Sequence, residues 1–301
     1  MKYNDLITYL NCKDIYFELN KMTKELVSFN IGGPADIVIY PTKVEEIIEI
    51  VQFLANNKIK YIFLGNGTNT IFPDNGYSGV VISTKKLNSI FICNDSIICL
   101  CGANISDCCV FAYHNCLSGI EFAYGIPGSI GGFVYMNASA FNHSASDVVY
   151  KTKVLDILSF DVFDIILDEH QYSAKHSIFM NNKNYFIIST ELKLRKSNKN
   201  DIYIKMQENM SKRKKSQPLD YPSAGSVFKR PQNGYASKLI DDAGLKGKRI
   251  GGATVSEKHA GFIVNSNNAT FSDVIALVDL IKMDVKNKYG ILLEEEIIFI
   301  E

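Results

Sequence analysis

The chain has 301 residues, 47% of them hydrophobic, which is enough for two domains with ordinary cores. Lys plus Arg and Asp plus Glu both number 32, so the formal charge is zero, which excludes a nucleic-acid binder held by a basic excess. The N-terminus has no secretory core or small-residue cleavage site, and no apolar run approaches the roughly 20 residues of a membrane span; a soluble, cytoplasmic protein is expected.

In chain order, residues 1–20 read as a helix with a polar face. Ile37-Val38-Ile39-Tyr40 reads as a strand stopped by Pro41. Thr42 is placed to cap the next helix, with Glu45 as its capping-box partner; apolar residues follow at helical spacing from Val44 to Ala55. A buried strand, Tyr61–Leu64, runs into the turn Gly65-Asn66-Gly67-Thr68-Asn69, and Gly79–Ile82 is the next strand. Residues 90–104 alternate as strands. Ile105 to Leu117 reads as a helix with Asn104 as its cap.

A second glycine-rich stretch follows, Gly125-Ile126-Pro127-Gly128-Ser129-Ile130-Gly131-Gly132. Glycine lets a backbone approach a ligand closely, and a glycine turn presents amides that suit a diphosphate. The competing reading is a tight turn between core elements, since loose glycine motifs are common. Two such turns, each after a strand-like run, favour an anion cradle.

Residues 148–196 look all-β, and Ser197–Asp201 marks a domain boundary. The last hundred residues form a separate α+β pattern. It holds the glycine loop Ala224–Phe228, a short helix from Ala236 to Ala243 stopped by Gly244, and a long amphipathic helix from Phe271 to Tyr289. A final strand is expected at Leu292–Phe299. The seven cysteines include no paired C-x-x-C, so neither a metal site nor a disulfide framework is expected.

Taken together, the segments SFNIGGPAD (28–36), LGNGTNTIFPDNGYSG (64–79), GIEFAYGIPGSIGGFVYMNA (119–138), QPLDYPSAGSVFKRP (217–231), 239–265 and LEEEI (293–297) resemble the UDP-N-acetylenolpyruvoylglucosamine reductase family. Their order and spacing agree over about residues 22 to 301, and the short middle is similar to the compact type that lacks a tyrosine loop. The resemblance implies an α+β fold: a two-part FAD-binding domain of the vanillyl-alcohol-oxidase (PCMH) type over 22–197, after an N-terminal helix at 1–21, and a C-terminal α+β substrate domain at 198–301.

The resemblance further implies a flavoenzyme of peptidoglycan precursor synthesis. NADPH reduces FAD, and the reduced flavin passes hydride to UDP-N-acetylglucosamine enolpyruvate, giving UDP-N-acetylmuramate. Gly65, Asn66, Gly67, Thr68 and Asn69, with Gly125, Ile126, Pro127, Gly128, Ser129, Gly131 and Gly132, would hold the FAD. No His or Cys lies in Gly65–Asn69, so the FAD is expected to be non-covalent. By position Ser226 is the family's proton donor, Glu296 its C-terminal catalytic glutamate, and Lys175 stands where the family has arginine. Lys229, Arg230 and His259 fall in segments near the substrate. If Leu292–Phe299 is a strand, Glu294 and Glu296 share one face.

Two departures stand out. Lys175 replaces a planar fork with a point charge, and Arg230 replaces the family's asparagine. They keep open a degenerate paralogue that binds FAD or a sugar nucleotide with little turnover. An oxidase of the same flavin fold is a third reading, against which the Ser226 and Glu296 pattern argues. No nucleic-acid or membrane partner is expected.

Overall fold

The computed structural model describes residues 3–232 and 234–301. The chain begins α1 (Asn4–Cys12), β1 (Phe17–Met22), β2 (Pro34–Ile39), α2 (Val44–Asn56), β3 (Tyr61–Leu64), β4 (Thr70–Ile71) and β5 (Tyr77–Ser83). It continues β6 (Ile90–Cys93), β7 (Ser96–Leu100), α3 (Ile105–His114), β8 (Leu117–Ser118), α4 (Ile130–Tyr135), β9 (Ser139–Ala140), β10 (His143–Ser144), β11 (Val149–Asp156) and β12 (Val162–Ile166). Next are α5 (Ile178–Asn181), β13 (Tyr185–Lys193), β14 (Arg195–Lys196), α6 (Lys199–Ser216) and β15 (Ser223–Ser226). The last are α7 (Ala236–Asp242), β16 (Arg249–Ile250), β17 (Ala253–Val255), β18 (Phe262–Asn265), α8 (Phe271–Tyr289) and β19 (Ile298–Phe299).

Two compact units result. The first takes the chain through Leu19, Ile37–Asn66 and Gly79–Ser211; the second takes Asn20–Asp36, Gly67–Ser78 and Lys212–Glu301. The unit boundaries fall inside β1, β2, the Gly65–Asn69 turn, β5 and α6.

In the first unit β3 runs parallel to β5, with Leu64 opposite Ser83. Both strands thus end at the same edge, where their loops begin. The face of α2 with Ile47, Ile50, Val51 and Leu54 is buried in one cluster with Ile37, Ile39, Val80 and Ile82. Each such side chain contributes about 1.5–3 kcal/mol. A second sheet, in the order β12-β11-β13-β7-β6, is antiparallel throughout. Cys99 on β7 and Cys108 and Cys109 on α3 are buried in its core, where free cysteine acts as a small apolar residue.

Three local expectations shift. The helix expected over 1–20 stops at Cys12; Asp14 turns the chain at φ 54°, and Tyr16 carries the chain into β1 by accepting the Tyr40 amide. The start of α2 lies one residue later than expected. Glu46, not Glu45, reaches back to the amide of Thr42 at 2.7 Å. The α3 helix ends at His114, three residues early, while Asn104 caps it by accepting the Ser106 amide at 2.8 Å.

In the second unit the sheet order is β15-β18-β17-β16. α8 buries Val274, Leu277, Val278, Ile281 and Val285 in a cluster with Ala253, Val255 and Ile263. Thr270 and Asp273 form its capping box, and Gly290 ends it at φ 71°. The expected strand at Leu292–Phe299 is a correction: only Ile298–Phe299 is a strand, parallel to β4. Glu295 makes a lone bridge to Phe228. Residues 291–297 otherwise lack a ladder, although Leu293 and Ile297 are buried.

Candidate functional site

The first glycine turn leaves β3 at Gly65, directly after the register pair Leu64–Ser83. A Cβ on Gly65 would lie 2.4 Å from Ser129 Oγ, so only glycine allows that approach. Ser129 belongs to the second glycine stretch. Its hydroxyl accepts the Gly132 amide and caps α4, and its backbone bridges Asn104. Gly131 donates to the Cys101 carbonyl at 2.8 Å. α4 has only six residues, so loop amides rather than a helix dipole must supply any anion contact. The amides of Gly65, Asn66, Gly128 and Ser129 have no hydrogen-bond partner among the described residues. The same is true of Gly67 and Thr68, the part of the turn in the second unit.

Ser83 Oγ adds a buried hydroxyl without a partner at the end of β5. An orphaned buried hydroxyl costs about 1–3 kcal/mol unless a ligand satisfies it. Unpartnered amides, a backbone approach free of Cβ and an orphaned hydroxyl fit a dinucleotide cofactor such as FAD. The neighbouring Cys101 thiol is pushed up to about 12 by burial, so it is no nucleophile for a covalent flavin link.

Lys175 sits in the first unit at the third position of the turn Ser173–His176, half-buried and left-handed at φ 56°. The turn is pinned beside the end of α4. Asn137 Nδ2 donates to the Ser173 carbonyl at 2.9 Å, and Ser177 Oγ donates to the Tyr135 carbonyl at 2.6 Å. The helix opened by the second glycine stretch therefore also fixes the Lys175 turn. Close by, His170 is buried between the Ile166 carbonyl and the Thr152 hydroxyl, at 2.8 Å each; burial lowers its pKa.

In the second unit Ser226 ends β15, just after Gly225 at φ 78°. Its hydroxyl is half-buried and has no partner among the described residues. Lys229 donates its amide to the Glu294 carbonyl at 2.8 Å, and Glu296 donates its amide to the Val227 carbonyl at 2.7 Å. These two bonds lay Ser226–Lys229 antiparallel to Glu294–Ile297, so Ser226 and Glu296 come together on adjoining backbones. Glu294 and Glu295 take different partners. Glu294 pairs with Lys229 at 3.3 Å on the exposed side, and Glu295 pairs with Lys282 at 2.6 Å. Burial pushes the Glu295 carboxyl up, but the Lys282 hydrogen bond and charge bring it below its usual value.

The remaining expected residues are placed as follows. Arg230 donates from Nε to the Gly234 carbonyl at 3.2 Å and lies over the Tyr235 ring at 4.1 Å. His259 is half-buried, and its Nδ1 accepts the Gly261 amide at 3.1 Å. Burial and then the charge of Lys246 lower its pKa, so it stays neutral at pH 7 with its proton on Nε2. The Gly261 carbonyl in turn accepts the Val227 amide at 2.9 Å, beside Ser226. Asn69, expected at the cofactor, donates from its side chain to the Glu296 carbonyl at 2.8 Å.

Sequence reasoning missed Ser83 and Gly102. A Cβ at Gly102 would lie 1.8 Å from the Thr84 carbonyl oxygen. The available signals were a polar pair, Ser83-Thr84, closing an apolar strand, and the lone glycine after β7.

Comparison with known proteins agrees with this geometry. Residues 35–157 match the FAD binding domain family. Residues 217–300 match the family described as UDP-N-acetylenolpyruvoylglucosamine reductase, C-terminal domain. A UDP-N-acetylenolpyruvoylglucosamine reductase of Caldanaerobacter subterraneus subsp. tengcongensis is 44% identical over 93% of this chain and 92% of its own length. One from Clostridium tetani is 39% identical over 99% of this chain and 97% of its own. The crystal structure of the Thermus caldophilus UDP-N-acetylenolpyruvylglucosamine reductase superposes with a TM-score of 0.81 at 28% identity, over 95% of this chain and 99% of that one.

Proposed function

The chain belongs to the UDP-N-acetylenolpyruvoylglucosamine reductase family, and from that premise we infer how its residues divide the work. It is an FAD-dependent oxidoreductase of peptidoglycan precursor synthesis. It reduces UDP-N-acetylglucosamine enolpyruvate to UDP-N-acetylmuramate, with NADPH as the hydride source. Among the described residues no helix is long and apolar enough to cross a membrane; a cytoplasmic location belongs to this proposal, as does the functional division into 1–21, 22–197 and 198–301.

Bound FAD would supply the two-electron carrier that takes hydride from NADPH and passes it to the terminal methylene carbon of the enolpyruvyl group. The protein's task is then to bind, orient and protonate. The amides of Gly65, Asn66, Gly128 and Ser129 are assigned to the cofactor diphosphate, with the rest of Gly125–Gly132 shaping the cradle; Gly67 and Thr68 are assigned to the cofactor from the family resemblance alone. Lys175 is assigned to the substrate carboxylate, where its charge offsets the negative charge that builds up as hydride arrives. Ser226 Oγ delivers the proton to the carbon bearing that carboxylate, and Glu296 is the acid working beside it. Lys229, Arg230 and His259 are assigned to the sugar nucleotide, two of them as cations for its phosphates and His259 as a neutral donor from Nε2.

The observation that carries these roles is the half-buried, unpartnered hydroxyl of Ser226 on the backbone adjoining Glu296. The test is anaerobic absorbance of the holoenzyme. NADPH should bleach the flavin, and UDP-N-acetylglucosamine enolpyruvate should restore the yellow spectrum. Bleaching without recovery would sink the assigned second half-reaction and favour the degenerate binder with its Lys175 and Arg230 changes. A colourless protein that takes up no FAD would sink the cradle.

A further inference from the structure

Asn69 closes the first glycine turn, yet its side chain is engaged by the C-terminal segment. Its Nδ2 donates to the Glu296 carbonyl at 2.8 Å. Its own carbonyl accepts the Ile298 amide at 2.9 Å. On the other side, the Glu296 amide is held by the Val227 carbonyl at 2.7 Å. Both backbone polar groups of Glu296 are thus fixed, one from the Ser226 side and one by Asn69. All of these residues lie in the second unit.

The surroundings make this bond matter. Residues 291–297 form no ladder beyond the bridge at Glu295, so few backbone bonds define where the Glu296 side chain leaves the chain. Flanking Ile297 is buried, while Glu294 is exposed and Glu296 half-buried. Side-chain packing therefore anchors the segment just after Glu296, and hydrogen bonds fix the peptide of Glu296 itself. Loss of the Asn69 donor would leave the Glu296 carbonyl without this partner and that peptide held at its other end by the long 3.5 Å bond from the Ile297 amide to the Val227 carbonyl, so the peptide could tilt.

We propose that Asn69 is a positioning residue: it sets the direction of the Glu296 carboxylate through the Glu296 backbone, rather than by touching cofactor or substrate. This rests on the assignment of Glu296 as a catalytic acid. A displacement of about 1 Å in a reacting group lowers a rate about 10²-fold, so one backbone bond has leverage on the protonation half-reaction and none on the NADPH half-reaction.

The test is anaerobic stopped-flow absorbance on the holoenzyme, with each half-reaction timed separately. Asn69→Asp keeps the shape and turns the donor into an acceptor facing the Glu296 carbonyl. Asn69→Ser, too short to reach, is the second variant should the first not fold. Expected are unchanged FAD content, flavin bleaching by NADPH within about twofold of wild type, and reoxidation by the enolpyruvyl substrate slowed about 10- to 100-fold. In a Glu296→Gln background, the same Asn69 change should slow reoxidation by less than about twofold more, because both changes disable one group. A purely structural or cofactor role predicts multiplied losses instead. Loss of FAD, slowed bleaching, multiplied losses or reoxidation at the wild-type rate would each overturn the proposal. Wild-type reoxidation in Glu296→Gln alone would locate the failure in the assignment of Glu296, and the inference would fall with it.

Discussion

In the glycine turns of the first unit the groups without partners are main-chain amides, at Gly65, Asn66, Gly128 and Ser129. Along Ser226–Lys229 of the second unit the side-chain group without a partner among the described residues is the Ser226 hydroxyl, while the Val227 carbonyl and the Lys229 amide bond Glu296 and Glu294 and the Val227 amide bonds Gly261. The two regions are therefore vulnerable to opposite changes. A cradle of amides is damaged by adding atoms, since any Cβ keeps the ligand away. A side-chain site is damaged by removing one reactive atom, with the backbone left in place.

Ser226→Ala is the largest expected effect. NADPH should still bleach the flavin, while reoxidation by the enolpyruvyl substrate should fall about 10²- to 10⁴-fold. Reoxidation at the wild-type rate would remove Ser226 from the chemistry and erase the contrast between the regions. Next is Gly65→Ala, which removes no functional atom but puts a Cβ 2.4 Å from Ser129 Oγ. Its FAD dissociation constant should rise about 10- to 100-fold, or about 1.4–2.7 kcal/mol, as read by flavin fluorescence titration. Tight FAD binding in that variant would mean that the turn is only a connection between core elements.

Lys175→Arg sharpens the comparison from the side-chain end. A guanidinium grips a carboxylate through two parallel hydrogen bonds, so turnover should rise a few-fold. No change in steady-state rate would take Lys175 out of the site. The smallest effect concerns His170, which has no assigned role in the chemistry. Burial lowers its pKa, so the unfolded chain takes up its proton first as pH falls below about 6.5. Its stabilising contribution is complete above that value and is lost as pH drops towards the folded-state pKa. The urea midpoint should fall between about pH 7.5 and 5.5 in part through this group, and His170→Phe should flatten that part of the slope. An identical slope in the variant would show that His259 and other groups carry the pH dependence.

Much of the candidate site could be named from the sequence because its motifs are short and local. Gly65–Asn69 and Gly125–Gly132 announce backbone conformations that few residues other than glycine adopt, and Ala224–Phe228 does the same. The helices α2, α3 and α8 followed from apolar spacing and caps, with errors confined to their ends. The failures have a common cause. Residues 1–20 split into helix and strand because Phe17–Met22 pairs as an edge strand with β2, a partner outside the segment itself. Leu292–Phe299 reads as a strand by composition, yet only Ile298–Phe299 finds a partner, β4. Ser83 was invisible because a serine ending an apolar strand says nothing about whether its hydroxyl will find a donor or acceptor.

By itself the sequence determined the family and the α+β class and named the candidates, the two glycine turns with Ser226, Glu296 and Lys175, since each depends on residue types at short, fixed spacing. Tertiary structure alone decided which groups are engaged and which are left over. It directed Asn69 to Glu296 rather than only to a cofactor turn, paired Lys229 with Glu294, and left the Ser226 hydroxyl without a partner among the described residues. Those outcomes depend on hydrogen bonds between segments as many as 227 residues apart. No local pattern can specify such a bond, because its strength depends on how both ends are oriented after the cores have packed.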